Sequence, residues 1–374
     1  MRHFALPAAA AFALTLGAGA CGDDASTAAD AGATDADDSG VSDTGAAGAD
    51  AASDTAIDSA LDAAQDDTSA DALDAGAGGT IVRAMTFNTG TGATPPRELA
   101  DTYGWGRDEA DLGDAWYGNG LAWIALIDAM APWMADQSPD VVAFQEIFWP
   151  GECDAIPAEA QVGFVCDGAR EPTVAERLVG AGYTVACHPG RPDKCLAVRD
   201  AFARIDGCDD GFCLEGLDGA EVEGCSRGSR VARARLERPD GTALTVVNVH
   251  GTSGFTVDDT ACRVAWFDAA FADLDPDVPA IVLGDFNTDP VRAAATDASA
   301  SRLAELADEG AFAFATQVGV GARPTYGGIL NIDHVLVRGG DGTCLAAGLD
   351  EALPAPLAVE AFDHRPIVCD LTLR

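Results

Sequence analysis

The chain has 374 residues, 48% of them hydrophobic, with 61 acidic against 22 basic side chains and a formal net charge of −39. That is enough apolar material for one large domain or two ordinary ones. So acidic a chain gains no counterion release on a phosphate backbone, which disfavours long-range attraction to nucleic acid unless positive charge, a bound metal included, gathers at a cleft.

Residues 1–21 open with Arg2 and His3, run through an apolar stretch and end in small residues before Cys21. This is a secretory signal, too short to span a membrane comfortably, and its small residues resemble a lipoprotein processing site that lipidates Cys21. Residues 22–79 form an Ala/Asp-rich segment. From residue 23 it holds fifteen Asp and no Lys, Arg, Pro or aromatic residue. Too little apolar bulk is present to offset chain entropy, so a disordered tether of about 40 Å root-mean-square span is expected. Subtracting the tether and Arg2 leaves 46 acids against 21 bases, about −25, on residues 80–374.

The pattern changes at residue 80. IVRAMTFN (81–88) reads as a strand, and the TGTGATPP that follows lacks both the GxGxxG spacing and the GK[ST] ending of a nucleotide loop. The segment 103–120 carries Tyr103, Trp105, Trp116 and Tyr117, either as a substrate-facing loop or as packing over the next helix. That helix is predicted over 119–136 from the spacing of Leu121, Ile124, Ala125, Ile127 and Met130, with Pro132 bending or ending it. DVVAFQEIF (140–148) is a buried strand. Six cysteines then lie between 166 and 225 with no CxxC pair. Setting Cys21 aside, ten cysteines remain, which favours disulfides over zinc, with the connectivity open. DGCDDGFC (206–213) is a disulfide-closed turn or, by composition, a calcium loop. LAVRDAFARI, RVARARLERPDGTALTVVNVHG (with a hairpin turn at 239–241), AIVLGDFN, NIDHVLVRGGDGTCLAAGL and DHRPIVCDLTL read as strands. Residues 258–274 read as a helix with Val264, Phe267, Phe271 and Leu274 on one face. There is no internal repeat, and strands mixed with a few helices give an α/β layered core.

The strand termini carry an unusual set of groups. Asn88, Glu146, Asn248 with His250, and Asp285 with Asn287 close four strands, while Asp333 with His334 and Asp363 with His364 open or precede two more. Period-two alternation puts Asp285 and Asn287 on one face and sends Phe286 into the core. By the same alternation His334 points away from Asp333 and is structural, and His188 is a loop residue. Carboxylate and carboxamide oxygens suit a hard divalent cation, and a histidine beside an aspartate suits proton transfer near neutrality.

The ordered set FN, QE, NVH, GDFN, IDH and DHRP resembles the endonuclease/exonuclease/phosphatase superfamily, metal-dependent phosphoesterases similar to DNase I, over residues 81–374. The resemblance implies one catalytic domain, 80–374, folded as a four-layer α/β sandwich of two mixed β-sheets flanked by helices. It implies that Asn88 and Glu146 hold a divalent metal, Mg²⁺ or else Mn²⁺ or Ca²⁺, with Asp363 a further metal or second-layer carboxylate. It gives Asp285 and Asn287 the attacking water and the phosphoryl group. Asp333 would hold His364 as the general base or its equivalent, and His250 would donate to the phosphate. CSRGSRVARARL (225–236) resembles the Arg-Gly strand that precedes NVH, which makes Arg227 a phosphate contact or an exposed strand residue. Two departures stand out: Thr89-Gly90 follows FN where some relatives carry another carboxylate, and His250 has no identifiable acidic partner. The expectation is an exported, lipid-anchored or secreted monomeric phosphoesterase acting on nucleic acid or a lipid headgroup. The alternative is a non-catalytic surface protein that reuses the fold for binding.

Overall fold

In chain order the strands and helices are β1 (Thr80–Asn88), α1 (Arg97–Tyr103), α2 (Arg107–Tyr117), α3 (Ile124–Gln137), β2 (Val141–Gln145), α4 (Val174–Val179), β3 (Tyr183–His188), β4 (Arg191–Arg199), β5 (Arg204–Ile205), β6 (Asp218–Gly219), β7 (Val231–Glu237), β8 (Ala243–His250), α5 (Val257–Phe271), β9 (Ala280–Asp285), α6 (Ala298–Glu309), β10 (Ala313–Phe314), β11 (Asp333–Arg338), β12 (Gly340–Ala346) and β13 (Ile367–Leu373). This computed structural model describes residues 79–374 apart from 93, 221 and 226–229. The signal segment, Cys21, the tether to residue 78 and Arg227 therefore lie outside the described residues.

The strands form two sheets. The first runs β12-β13-β1-β2-β4-β3 and the second β10-β11-β9-β8-β7-β5, with β6 added on β7. Each is mixed: β1–β2 and β8–β9 are parallel at the centre and their other neighbours antiparallel. Both sheets thus share one pairing pattern, a repeat of architecture with no counterpart in the linear sequence.

Alternation along each central strand sorts its side chains between two cores. Val82 and Ala84, Val141 and Ala143, Val246, Ile281 and Leu283, and Val335 and Val337 face the space between the sheets. The intervening Met85 and Phe87, and Val142 and Phe144, face outward under α3 and α4. On the second sheet Val247, Val249, Val282 and Leu336 face Trp266, Phe267 and Leu303 of α5 and α6. The result is the expected helix–sheet–sheet–helix sandwich.

The element boundaries refine the sequence reading. The first long helix starts at Ile124 and runs through Pro132 to Gln137, where Ser138 turns left-handed. The predicted strand LAVRDAFARI breaks after Arg199 and resumes only as the two-residue β5. The 238–242 hairpin closes as expected, with Gly241 N donating to Arg238 O. Trp105 and Tyr117 are packing residues, buried against Phe164, while Trp116 is exposed. All ten cysteines of the domain pair, as 153–166, 187–195, 208–213, 225–262 and 344–369. The 208–213 bridge makes DGCDDGFC a disulfide-closed turn.

Candidate active site

The inward-facing positions that are apolar in mid-sheet become polar at one end of the sandwich. Continuing 82, 84, 86 gives Asn88; 281 and 283 lead to Asp285; 244, 246 and 248 lead to His250. Register then sets three of these groups in a row, because His250 pairs with Asp285 and Asp285 with Asp333. On the facing sheet Asn88 pairs with Gln145. Beneath this row an amide relay ties the sheets together. Gln145 Nε2 donates to Asn248 Oδ1 at 2.7 Å, and Asn248 Nδ2 donates to Phe144 O at 2.8 Å and Cys195 O at 3.1 Å. Buried amides need such partners, so the relay satisfies itself while fixing the spacing of the sheets.

Two non-glycine residues leave strand geometry to aim at the site. Glu146, just past β2, and Asn287, two residues past β9, have φ of 56° and 51°, a left-handed conformation that costs a bulky residue of order 1 kcal/mol or more. Asn287 does meet Asp285, but through a turn rather than through strand alternation. Its N donates to Asp285 Oδ1 at 2.8 Å, and its Nδ2 to Asp285 Oδ2 at 3.1 Å and Gly251 O at 3.0 Å. Phe286 points into the outer core beside Phe267 as expected. Gly284 admits no side chain, since a Cβ there would lie 1.9 Å from Val249 O.

Asn88 Nδ2 bridges the halves, donating to Asp285 Oδ2 at 3.1 Å and Glu146 Oε1 at 3.3 Å. His364 Nδ1 lies 3.0 and 3.1 Å from the Asp333 oxygens, and its Nε2 is 3.6 Å from Asp285 Oδ2. The Tyr326 ring packs 4.6 Å from the imidazole. Burial pulls His364 down, but Asp333, Asp285 and Asp363 more than reverse this and raise it to about 10. Asp285 is raised by burial, with Asp333 and Glu146 adding repulsion that His364 partly offsets, to about 7. His250 does have acidic neighbours: its Nε2 is 3.4 Å from Glu146 Oε1 and 3.6 Å from Asp285 Oδ2. The register brings them from strands distant in sequence, so neither stands near His250 in the chain. Burial first, then Lys194, Arg230, His364 and Arg191, hold His250 well below its ordinary value.

The oxygens predicted to hold a metal converge on Gly90. A Cβ at that glycine would stand 2.8 Å from Asp363 Oδ1, 3.0 Å from Glu146 Oε2 and 3.4 Å from Asn88 Oδ1. Asp363 Oδ1 is buried without a hydrogen bond among the described residues, and burial and then Asp363 raise the Glu146 carboxyl. Two half-buried carboxylates and a buried amide oxygen facing one small space are a donor set that fits a hard divalent cation. Asp285, Asp333 and His364 also offer ligand atoms within 4.8 Å of one another. There, however, Asp333 is already hydrogen-bonded to His364, so the cradle at Gly90 has the freer donors.

His334 is structural, with Nε2 at 3.0 Å from Thr288 O on the outer face, and His188 Nδ1 accepts from Gly190 N within its turn. Three residues of the site were not assigned from the sequence: Gln145 and Asn248, which the period-two rule places inward, and Tyr326, which carried no signal.

The endonuclease/exonuclease/phosphatase family model matches residues 85–354. Among solved structures, an endonuclease/exonuclease/phosphatase from Beutenbergia cavernae DSM 12333 is 17% identical, with a TM-score of 0.48 over 78% of this chain and 72% of that one. D. rerio TDP2 complexed with a single-strand DNA product is 11% identical, with a TM-score of 0.48 over 78% and 99%. An AP endonuclease from Archaeoglobus fulgidus is 14% identical, with a TM-score of 0.43 over 77% and 98%. Among curated proteins, no sequence matches. The family match spans well over half of the chain and takes in six of the eight acid, amide and histidine residues gathered at the sheet ends, all but Asp363 and His364, so the chain belongs to the endonuclease/exonuclease/phosphatase family.

Proposed function

We propose that this protein is an exported, divalent-metal-dependent phosphoesterase that hydrolyses phosphodiesters (or phosphomonoesters) of a nucleic acid or a lipid headgroup, working as a monomer anchored through a lipid on Cys21. The observation that carries the reading is the convergence of Asn88, Glu146 and Asp363 oxygens at Gly90, directly beside the Asp285–His364–Asp333 chain. Five disulfides fit an oxidising compartment, and no helix among the described residues is long and apolar enough to cross a membrane.

Asn88, Glu146 and Asp363 would hold the cation, Mg²⁺ or alternatively Mn²⁺ or Ca²⁺, which supplies positive charge to a phosphoryl oxygen when bound. Asp285 takes a proton from the water as its oxygen bonds to phosphorus and the ester P–O bond breaks. Its position near neutrality suits that role, and the Asn287 bonds fix its orientation. The resemblance implies that His364 is the base, but its surroundings favour another part. Held as an imidazolium by three aspartates, it donates from Nε2 to the charge that grows on the phosphoryl group, while Asp333 fixes Nδ1–H. His250, kept neutral, adds an uncharged donor.

The test is turnover of bis(4-nitrophenyl) phosphate by the purified protein with Mg²⁺, beside a calorimetric Mn²⁺ titration. Activity abolished by EDTA and restored by Mg²⁺ is expected. In Gly90→Ala the added methyl fills the cradle, so Mn²⁺ binding should weaken at least about tenfold while the thermal transition stays cooperative. A folded wild type without turnover or metal binding would leave the binding-protein reading standing.

A further inference from the structure

Helix α5 carries a buried arginine that the chemistry proposed above does not use. The Arg263 side chain is 1% exposed. A guanidinium has five N–H donors, and burial requires that each be met. All five have acceptors here. Nε donates to Ser299 Oγ at 2.9 Å, Nη1 to Thr252 O at 2.8 Å and Gly254 O at 2.7 Å, and Nη2 to Asp297 Oδ2 at 3.0 Å and Thr260 Oγ1 at 3.3 Å. Thr252 and Gly254 belong to the loop that follows His250. Asp297 caps α6 through its other oxygen, which accepts from Ser299 N at 2.9 Å and Ser299 Oγ at 2.6 Å. Asp297 Oδ2 also accepts from Thr288 Oγ1 at 2.9 Å. Thr288, which follows Asn287 directly, is buried, and its carbonyl lies 3.0 Å from His334 Nε2. A second tie joins the same two segments, because Asn287 Nδ2 donates to Gly251 O at 3.0 Å and Gly251 N donates to Asp285 O at 2.8 Å. They meet at backbone distance: a Cβ on Gly251 would lie 2.5 Å from Phe286 O. The hydrogen bonds therefore close a circuit, from Asn287 to Gly251 on one side and from Thr252 through Arg263, Asp297 and Thr288 back to Asn287 on the other.

We propose that Arg263, Asp297 and Thr288 are positioning residues that lock the Asn287 turn to the Gly251 loop and, through Asn287, hold the Asp285 carboxylate in its orientation. The turn needs such a hold. Asn287 has a φ of 51°, and a strained conformation of this kind persists only where the surroundings over-determine it. On its upstream side Asn287 is tied to Asp285, and on its downstream side Thr288 is held at both carbonyl and hydroxyl. The hydroxyl bond runs to a carboxylate that Arg263 and the first turn of α6 immobilise, so the hold comes from two packed helices and not from another loop. Arginine suits the place because its planar fork reaches four backbone and side-chain acceptors besides the carboxylate, which a lysine could not do. The circuit is a property of the fold; its consequence for turnover deepens the phosphoesterase reading and rests on it.

The circuit can be cut at a single hydrogen bond. Thr288→Val keeps the shape of the side chain, removes its hydroxyl and leaves the Arg263–Asp297 pair in place. With the full-length protein, saturating Mg²⁺ and bis(4-nitrophenyl) phosphate, kcat should fall about 10–100-fold, the scale of a sub-ångström misplacement, while KM stays within about twofold. Thr288→Ser keeps the hydroxyl and should turn over as the wild type does. In an Asn287→Ala background Thr288→Val should cost nothing further, because the group it positions is gone; a packing defect would instead add in full. Asp297→Ala is the harsher cut, since it also uncaps α6 and leaves Arg263 unpaired. Combined with Thr288→Val it should lower kcat no more than it does alone. Wild-type kcat in Thr288→Val, an equal loss in Thr288→Ser, or losses that add in full with Asn287→Ala would overturn the proposal while leaving the phosphoesterase reading intact. If the wild type hydrolyses no ester, that reading falls separately, and the lock is read by hydrogen exchange. Thr288→Val should then speed exchange at the Asn287 amide by about tenfold or more while amides within β8 and β9 keep their rates. An unchanged rate at Asn287 refutes the lock.

Discussion

His250 and His364 occupy matching places in the site, each with Nε2 3.6 Å from the same oxygen of Asp285, yet their surroundings drive them in opposite directions. On the His364 flank the neighbours are Asp333, Asp285 and Asp363, which raise the ring to about 10 against the pull of burial. On the His250 flank burial comes first and Lys194, Arg230 and Arg191 follow, so the ring is neutral and its Nδ1 has no hydrogen-bond partner among the described residues. Residue type and distance to the central carboxylate are nearly the same; the second layer of charge assigns the roles. One flank favours the charged form of its histidine, whereas the other disfavours it.

The sharpest way to break this asymmetry is at the carboxylate both rings face. Asp285→Asn removes the proton acceptor and the anion shared by the two histidines, and kcat should fall by about 10²–10⁴-fold with the fold retained. A smaller effect comes from Asp333→Asn, which leaves the imidazole in place but removes the largest attraction opposing its desolvation. In the wild type, activity should rise with pH through about 7 as Asp285 deprotonates and fall through about 10 as His364 loses its proton. With the anion gone the cation is less favoured, so the alkaline limb should move down by about 1–3 pH units. A pH–rate profile whose alkaline limb stays in place would show that Asp333 does not hold His364 charged. The same shift bears on stability. His364 is raised above its ordinary 6.5, so its contribution is fully present below that pH and disappears as pH rises through about 10.

Much of this asymmetry could be read in the sequence on one flank and little on the other. Asp333, Asp363 and His364 sit in short motifs at strand starts, and Asp285 ends a strand of unbroken apolar character, so alternation and motif order located them. The α/β layering followed from strands mixed with helices, and the four-layer arrangement from the resemblance carried by the ordered motifs. The left-handed turns at Glu146 and Asn287 did not, because positive φ in a non-glycine residue is imposed by tertiary context. The cationic flank was hidden for another reason. Lys194 and Arg230 are 36 residues apart in chain order, lie in a cysteine-rich stretch without periodicity, and come together only through the pairings β2–β4 and β7–β8. Helix α6 was missed because its apolar stripe is narrow, four small residues standing among its first positions. Arg227 was assigned by its place in a motif, and it is Arg230, three residues on, that the described structure sets against Gly251.

The mildest perturbation is the most specific. Gln can replace His250 as an uncharged donor of similar reach but has no titrating ring. If His250 works as a neutral group held by the cations around it, His250→Gln should cost roughly tenfold in kcat/KM, the scale of one imperfectly replaced hydrogen bond. Both limbs of the pH profile should then stay where they are, because neither belongs to this ring. A lost or displaced limb would mean that His250 changes charge during turnover. The positive charge of Lys194, Arg230 and Arg191 would then set where that proton is held. Since removing one cation lessens the penalty on a second nearby, the same measurement on Lys194→Met separates the two cases: its pH profile should match that of the wild type if His250 stays neutral throughout.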